Sequence, residues 1–152
     1  MSGIAIHVDA DACPVKDEVY KVALRHDLPV NVVANSFMRV PQHRLITRVT
    51  VPEGPDVADD WIAERADAQA IIVTSDILLA ERCLKAGARV LSPKGKAFTE
   101  NSIGQAVATR AIMEDLRGMG EQTSGPASFK PADRSNFLSA LEVEIQKLKR
   151  GR

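Results

Sequence analysis

Aromatic residues make up only 4% of this chain. A core must therefore be built from Val, Ile, Leu and Ala. Cysteine is nearly absent: Cys13 and Cys83 are the only two. They are too few and too far apart for a disulfide framework or a CxxC metal site. There is no excess of either charge, with 20 basic and 20 acidic residues. That excludes the overall basic footprint of a nucleic-acid coat, but not a local basic rim around an acidic pocket. No apolar run approaches the roughly 20 residues of a membrane span. The N-terminus has no charged start leading into an apolar stretch. These absences predict a soluble cytoplasmic protein without a membrane partner. Internal repeats and low-complexity tails are absent too.

What is present reads as one α/β domain over residues 1–152, a length suited to a single core. Ile4 to Val8 is a short apolar run that reads as a buried strand. Pro14 suits the first turn of a helix, and Val15, Val19, Val22 and Ala23 carry its apolar stripe. Val30–Ala34 is a second strand and Val49–Val51 a short third. Asp56 opens a helix whose Val57, Ala58, Trp61, Ile62 and Ala66 share one face. Ala70–Thr74 is the clearest buried strand. A helix over 77–86 follows, closed by Gly87 as a left-handed cap. Arg89–Leu91 is a fifth strand. Helices are expected over 102–117 and 133–149, capped at Asp133 or Ser135, with a flexible Gly/Ser/Pro-rich loop over 118–131. Strand–helix alternation predicts a mostly parallel sheet of four to five strands flanked by helices.

In such sheets ligands bind outside the carboxyl ends of the strands. Asp9 and Asp11 follow the first strand, and Asp76 follows the Ile71–Thr74 strand. Asp56, Asp59 and Asp60 begin a helix that follows another strand. Carboxylates from three distant segments thus meet at one sheet edge, where they repel unless protonated or bridged by a cation. Hard oxygen donors suit Mg²⁺ or Mn²⁺. The bland alternative makes Asp56 a helix cap and leaves Asp59 and Asp60 as solvated charges.

Asn35 and Ser36 end the second strand and are candidates to bind phosphate or metal-bound water, or else form a turn. Thr74 and Ser75 flank Asp76 and can orient it, or cap the next helix. Arg39, His43, Arg44 and Arg48 share one connection, and Lys94 and Lys96 another; both can rim the acidic edge and hold phosphates, or be solvated loops. Cys13 and Cys83 read as packed residues, His7 as a packed histidine and Trp61 as core.

Asp9-Ala10-Asp11-Ala12-Cys13-Pro14-Val15-Lys16 resembles the opening signature of the YaiI/YqxD family of uncharacterised bacterial proteins. So do the segments 56–62, 73–80, 93–103 and 125–137, so the similarity spans nearly the whole chain. The resemblance implies a three-layer PIN-like fold, as in metal-dependent ribonucleases. It implies Asp9, Asp11, Asp76 and Asp59 as catalytic candidates and Asp9, Asp11, Asp76 and Asp60 as candidate ligands of Mg²⁺ or Mn²⁺. Asn35, Ser36, Arg39, Arg44, Thr74, Ser75, Lys94 and Arg134 are the candidate substrate-binding residues. One departure is Pro55 and Val57, where the family tends to have a Gly-x-Asp-Ala run. The expected function is metal-dependent phosphodiester hydrolysis, on RNA rather than DNA. Two alternatives stand beside it. One is a non-catalytic nucleic-acid or nucleotide-binding module with a metal site. The other is a phosphohydrolase of haloacid-dehalogenase type, suggested by Asp9-Ala10-Asp11 at a strand end.

Overall fold

A computed structural model describes residues 3–11, 13–54, 56–118 and 129–151. The chain order is β1 (Ala5–Asp9), α1 (Lys16–Arg25), β2 (Val30–Ala34), β3 (Ile46–Thr50), α2 (Val57–Arg65), β4 (Ala70–Val73), α3 (Ile77–Lys85), β5 (Arg89–Leu91), β6 (Ala97–Phe98), α4 (Glu100–Gly118) and α5 (Pro131–Lys149). The strands form one sheet in the order β3-β2-β1-β4-β5-β6. All neighbours are parallel except β5 and β6.

Alternation along the strands divides the core. Ile6 and Val8 of β1, Val30 and Val32 of β2 and Ile71 and Val73 of β4 join residues of α1 and α5 in one buried cluster. Val33, Ala70 and Ile72 join residues of α2, α3 and α4 in the other. This is the three-layer α/β arrangement, helices on both faces of a mostly parallel sheet. Burial on both faces explains why β1, β2 and β4 read as nearly unbroken apolar runs.

Several boundaries differ from those expected. The sheet has a sixth strand, β6, whose two residues are too short to leave a pattern. β3 begins at Ile46 rather than residue 49, because pairing of Val30 with Ile46 brings polar Thr47 and Arg48 into a strand at the sheet edge. α4 begins at Glu100, where Thr99 and Ser102 each bond the other's backbone N–H through a hydroxyl. α5 begins at Pro131, and the Asp133 carboxylate accepts a hydrogen bond from the Lys130 N–H at 2.8 Å. Gly87 does have the left-handed φ expected of it, +92°. Most of the loop expected over 118–131 lies outside the described residues. Among the described residues no helix is long and apolar enough to cross a membrane.

The connection from β2 to β3 carries no helix. Residues 35–45 instead run back along the sheet edge, and Met38 and Val40 pack against the α1–α5 side of the core. The strand order reverses between β1 and β4, the strands adjacent at the centre of the sheet. In open α/β sheets the crevice at such a reversal, outside the strands' carboxyl ends, is the usual ligand position.

Candidate metal centre at the strand ends

Asp9 is the last residue of β1 and shares its sheet face with His7 by the two-residue period of a strand. His7 is buried, accepts a hydrogen bond from the Asn31 amide at 3.1 Å and meets the Trp61 ring edge-on. α2 therefore lies over β1 on this face. Its first turn brings Asp59 above the strand end. β4 then delivers Thr74, only 1% exposed, and Asp76, which caps α3. The site is thus assembled by β1, α2 and the β4–α3 turn around the central reversal.

Hydrogen bonds fix three of the carboxylates through one oxygen each. Thr74 Oγ1 donates to Asp9 Oδ2 at 2.7 Å and accepts from the Asp76 N–H at 3.0 Å. Asp76 Oδ1 accepts from the N–H groups of Leu78 and Leu79, the ordinary work of a helix cap. Asp11 Oδ2 accepts from the Asn35 N–H at 3.2 Å, tying the β1 turn to the end of β2. Thr74 links the two strand ends, holding Asp9 and the Asp76 backbone with one hydroxyl.

The acids feel one another. Burial raises the Asp9 carboxyl above its ordinary value, Thr74 opposes the rise, and the charges of Asp76 and Asp11 add to it. Asp59 is pushed up to about 6, by burial first and then by the charges of Asp76 and Asp9. The Asp76 carboxylate is also within hydrogen-bonding reach of it, which raises it further. Two carboxylates share a hydrogen bond only with a proton between them, or give it up to a cation placed between them. Yet among the described residues no group of three His, Cys, Asp or Glu side chains is ready-made to hold a metal ion. The acids are near enough to repel but, among the described residues, have not converged on one point. The donor chemistry fits Mg²⁺ or Mn²⁺, which bind through one or two carboxylates and keep several waters.

The other candidate residues take other partners or stand in the connecting loops. Asp60 turns away to Arg82, at 2.8 Å. Asp56 takes the N-cap position of α2 with φ +66° but makes no side-chain capping bond; its charge adds to the repulsion on Asp59. Ser75 is exposed beside Asp76, and Ser36 is exposed beyond Asn35. Arg39 and Arg44 are exposed in the β2–β3 connection. Lys94 lies half-buried in the β5–β6 turn. Arg134 clasps α5 to the start of α1, donating to the Pro14 carbonyl at 2.8 Å and pairing with Glu18. Cys13 and Cys83 are both buried, and burial raises both thiols, Cys83 to about 12. Neither is poised as a nucleophile.

One feature of the β2–β3 connection escapes sequence reading. Phe37 is 71% exposed, and the Arg48 guanidinium lies over its ring at 4.3 Å. A lone Phe in a polar, arginine-bearing connection was the available signal.

A family model described as an uncharacterised YaiI/YqxD family matches residues 7–147. The chain belongs to the YaiI/YqxD family. A UPF0178 protein of Sphingopyxis alaskensis is 62% identical to it over 152 residues, covering 99% of each chain. Another, from Bradyrhizobium diazoefficiens, is 60% identical over 97% of this chain and 88% of its own. A third, from Nitrobacter winogradskyi, is 57% identical over 99% and 96%. No solved structure matches the chain. The matched span takes in Asp9, Asp11, Asp59 and Asp76, so the whole acidic edge lies inside the family's shared region.

Proposed function

We propose that this protein is a cytoplasmic, divalent-metal-dependent phosphodiesterase of PIN-like type, acting on RNA rather than DNA. One observation carries the reading: Asp9, Asp59 and Asp76 approach from β1, α2 and the start of α3 at the sheet's reversal, with Asp59 pushed up to about 6. Asp9 and Asp76 would hold Mg²⁺ or Mn²⁺, with Asp11 and Asp59 at its margin. Such an ion supplies Lewis acidity at a phosphoryl oxygen and a more acidic bound water. The chain's own groups do the positioning. Thr74 orients Asp9, the capping bonds orient Asp76, and Asn35 holds Asp11. Asp59, with its raised carboxyl, is suited to exchange a proton near neutral pH.

The alternative, a non-catalytic nucleic-acid- or nucleotide-binding module with a metal site, would use the same acids and differ in lacking turnover. The haloacid-dehalogenase-like reading gains nothing, since α1 starts at Lys16 and leaves little chain after Asp9 for a flap.

The test is calorimetric titration with Mn²⁺ and Mg²⁺ and a cleavage assay on labelled RNA, for wild type and the Asp9→Asn, Asp76→Asn double variant. The expected outcome is metal binding and cleavage in wild type, both lost in the double variant. RNA binding with steep salt dependence but no turnover at any metal concentration would replace this reading with the binding module.

A further inference from the structure

We propose that Phe37 and Arg48 form a stacking subsite for an unpaired nucleobase at the β2–β3 edge of the sheet, with Arg39 and Arg44 taking the adjoining phosphates. The proposal rests on the nucleic-acid reading above and adds the place where a strand is gripped.

The first support is exposure. Among the described residues Phe37 is the most exposed large apolar side chain, at 71%, while its neighbours Met38 and Val40 pack onto the core. The ring is nonetheless held. Arg48, projecting from edge strand β3, lies over it at 4.3 Å. A cation over one face fixes an aromatic ring, and the rest of the Phe37 ring stays open to solvent. Bases stack on such platforms, and on guanidinium planes, with little regard to sequence.

Position is the second support. The Asn35 N–H bonds Asp11, and Phe37 is only two residues further along. The platform is thus close along the chain to the Asn35–Asp11 contact, while Arg48, which pairs with Val32 of the α1–α5 face, sets it on the other side of the sheet from Asp59.

Charge is the third. From Leu28 to Pro52 the sequence contains no acidic residue, against Arg39, Arg44 and Arg48. None of these three arginines forms an ion pair among the described residues. In a chain of zero formal net charge, this is a local positive edge. It complements a phosphate backbone. A second copy of the chain docking through the same face would oppose arginines to arginines, which is unfavourable.

The experiment is fluorescence anisotropy of a short labelled single-stranded oligonucleotide and of its duplex. EDTA is present throughout, so the readout is independent of metal and of cleavage. Wild type is compared with Phe37→Ala, Phe37→Trp and Arg48→Ala. Phe37 is exposed, so its replacement leaves folding intact. Phe37→Ala is expected to weaken single-strand binding by about tenfold, the scale of one stacked base, and Phe37→Trp to restore it. Arg48→Ala is expected to weaken single-strand binding by freeing the ring it holds. Duplex binding should not respond to Phe37→Ala. Several results overturn the proposal: no wild-type binding at low salt, equal single-strand binding by wild type and Phe37→Ala, or an equal loss on duplex. So does a Phe37→Ala variant that changes sedimentation but not oligonucleotide binding, which would make this face a contact between copies. The two readings fail separately. Stacking without metal-dependent cleavage removes the nuclease and keeps the subsite. Cleavage that needs Asp9 and Asp76, with Phe37→Ala neutral in binding, removes only the subsite.

Discussion

Asp59 is the residue in which the site's electrostatics can be measured most directly. Its folded pKa of about 6 lies above its ordinary 3.8. Between those values the folded state binds more protons than the unfolded state, so stability falls as pH rises through this window. Above it the carboxylate is charged in both states, and folding carries the full cost of repulsion. In metal-free protein, Asp59→Asn should therefore raise stability near neutral pH, by about 1 kcal/mol after allowance for a half-exposed site. Below about pH 3 the gain should vanish, because the wild-type carboxyl is then largely protonated folded or unfolded. Urea titrations in EDTA at both pH values check this. A destabilised variant near neutral pH would mean that Asp59 is not crowded by Asp76 and Asp9. At this scale the sequence was informative but incomplete. Asp9, Asp11 and Asp76 were legible because each follows an apolar strand. The choice between Asp59 and Asp60 was not, since neighbours on a helix differ by about 100° in direction, and only the packing of Trp61 against His7 sets which one faces the strand end.

Among the elements, the β5–β6 turn is the most constrained by its neighbour. Gly95 has φ +89°, and a Cβ placed there would stand 2.6 Å from the Asn136 carbonyl carbon and oxygen of α5. Backbone cannot move aside as a flexible side chain can. Gly95→Ala should cost more than about 2 kcal/mol, combining strain in the left-handed region with overpacking. Gly104, in α4, meets nothing within 4 Å. Gly104→Ala should be neutral or stabilise by about 0.5–1 kcal/mol through helix propensity. Denaturant midpoints of the two variants make the comparison; equal effects would show that α5 does not press on the turn. The elements easiest to find in the sequence were those buried on both faces. β6 and the exposed half of β3 were hidden because pairing with an existing strand, not local propensity, makes them strands. The starts of α4 and α5 were misplaced by about two residues because their caps are made by residues within the first turn, Ser102 and Asp133.

For the whole molecule, the α1–α5 layer closes one side of the sheet. Phe137, Leu141 and Ile145 of α5 are fully buried against the strands and α1. Polar pairs run along the seam: Arg25 and His26 both bond Glu142, and Lys149 meets His26 Nδ1 at 2.9 Å. Bonds from Gln146 and His26 hold Glu142 down to about 2. These exposed pairs set register more than stability. The apolar row does the holding, so Phe137→Ala should cost about 3–5 kcal/mol. That is a large share of the stability of any domain, and thermal unfolding should show it as a marked loss of melting temperature. A loss under about 1 kcal/mol would mean that α5 is not an integral layer of the core.

By itself the sequence determined the class of fold, the alternation of elements and the supply of acids, because burial on two faces and acids after apolar runs are local patterns. The family, too, was legible in short motifs. Only the tertiary structure decided which acids meet. Strand order put β4 beside β1 rather than β5, the helix phase chose Asp59 for the centre and sent Asp60 to Arg82, and Arg134 went to the start of α1. It also left Phe37 in solvent under Arg48. The physical reason is that burial is a property of a stretch of chain, whereas convergence depends on distances between stretches that no local pattern contains.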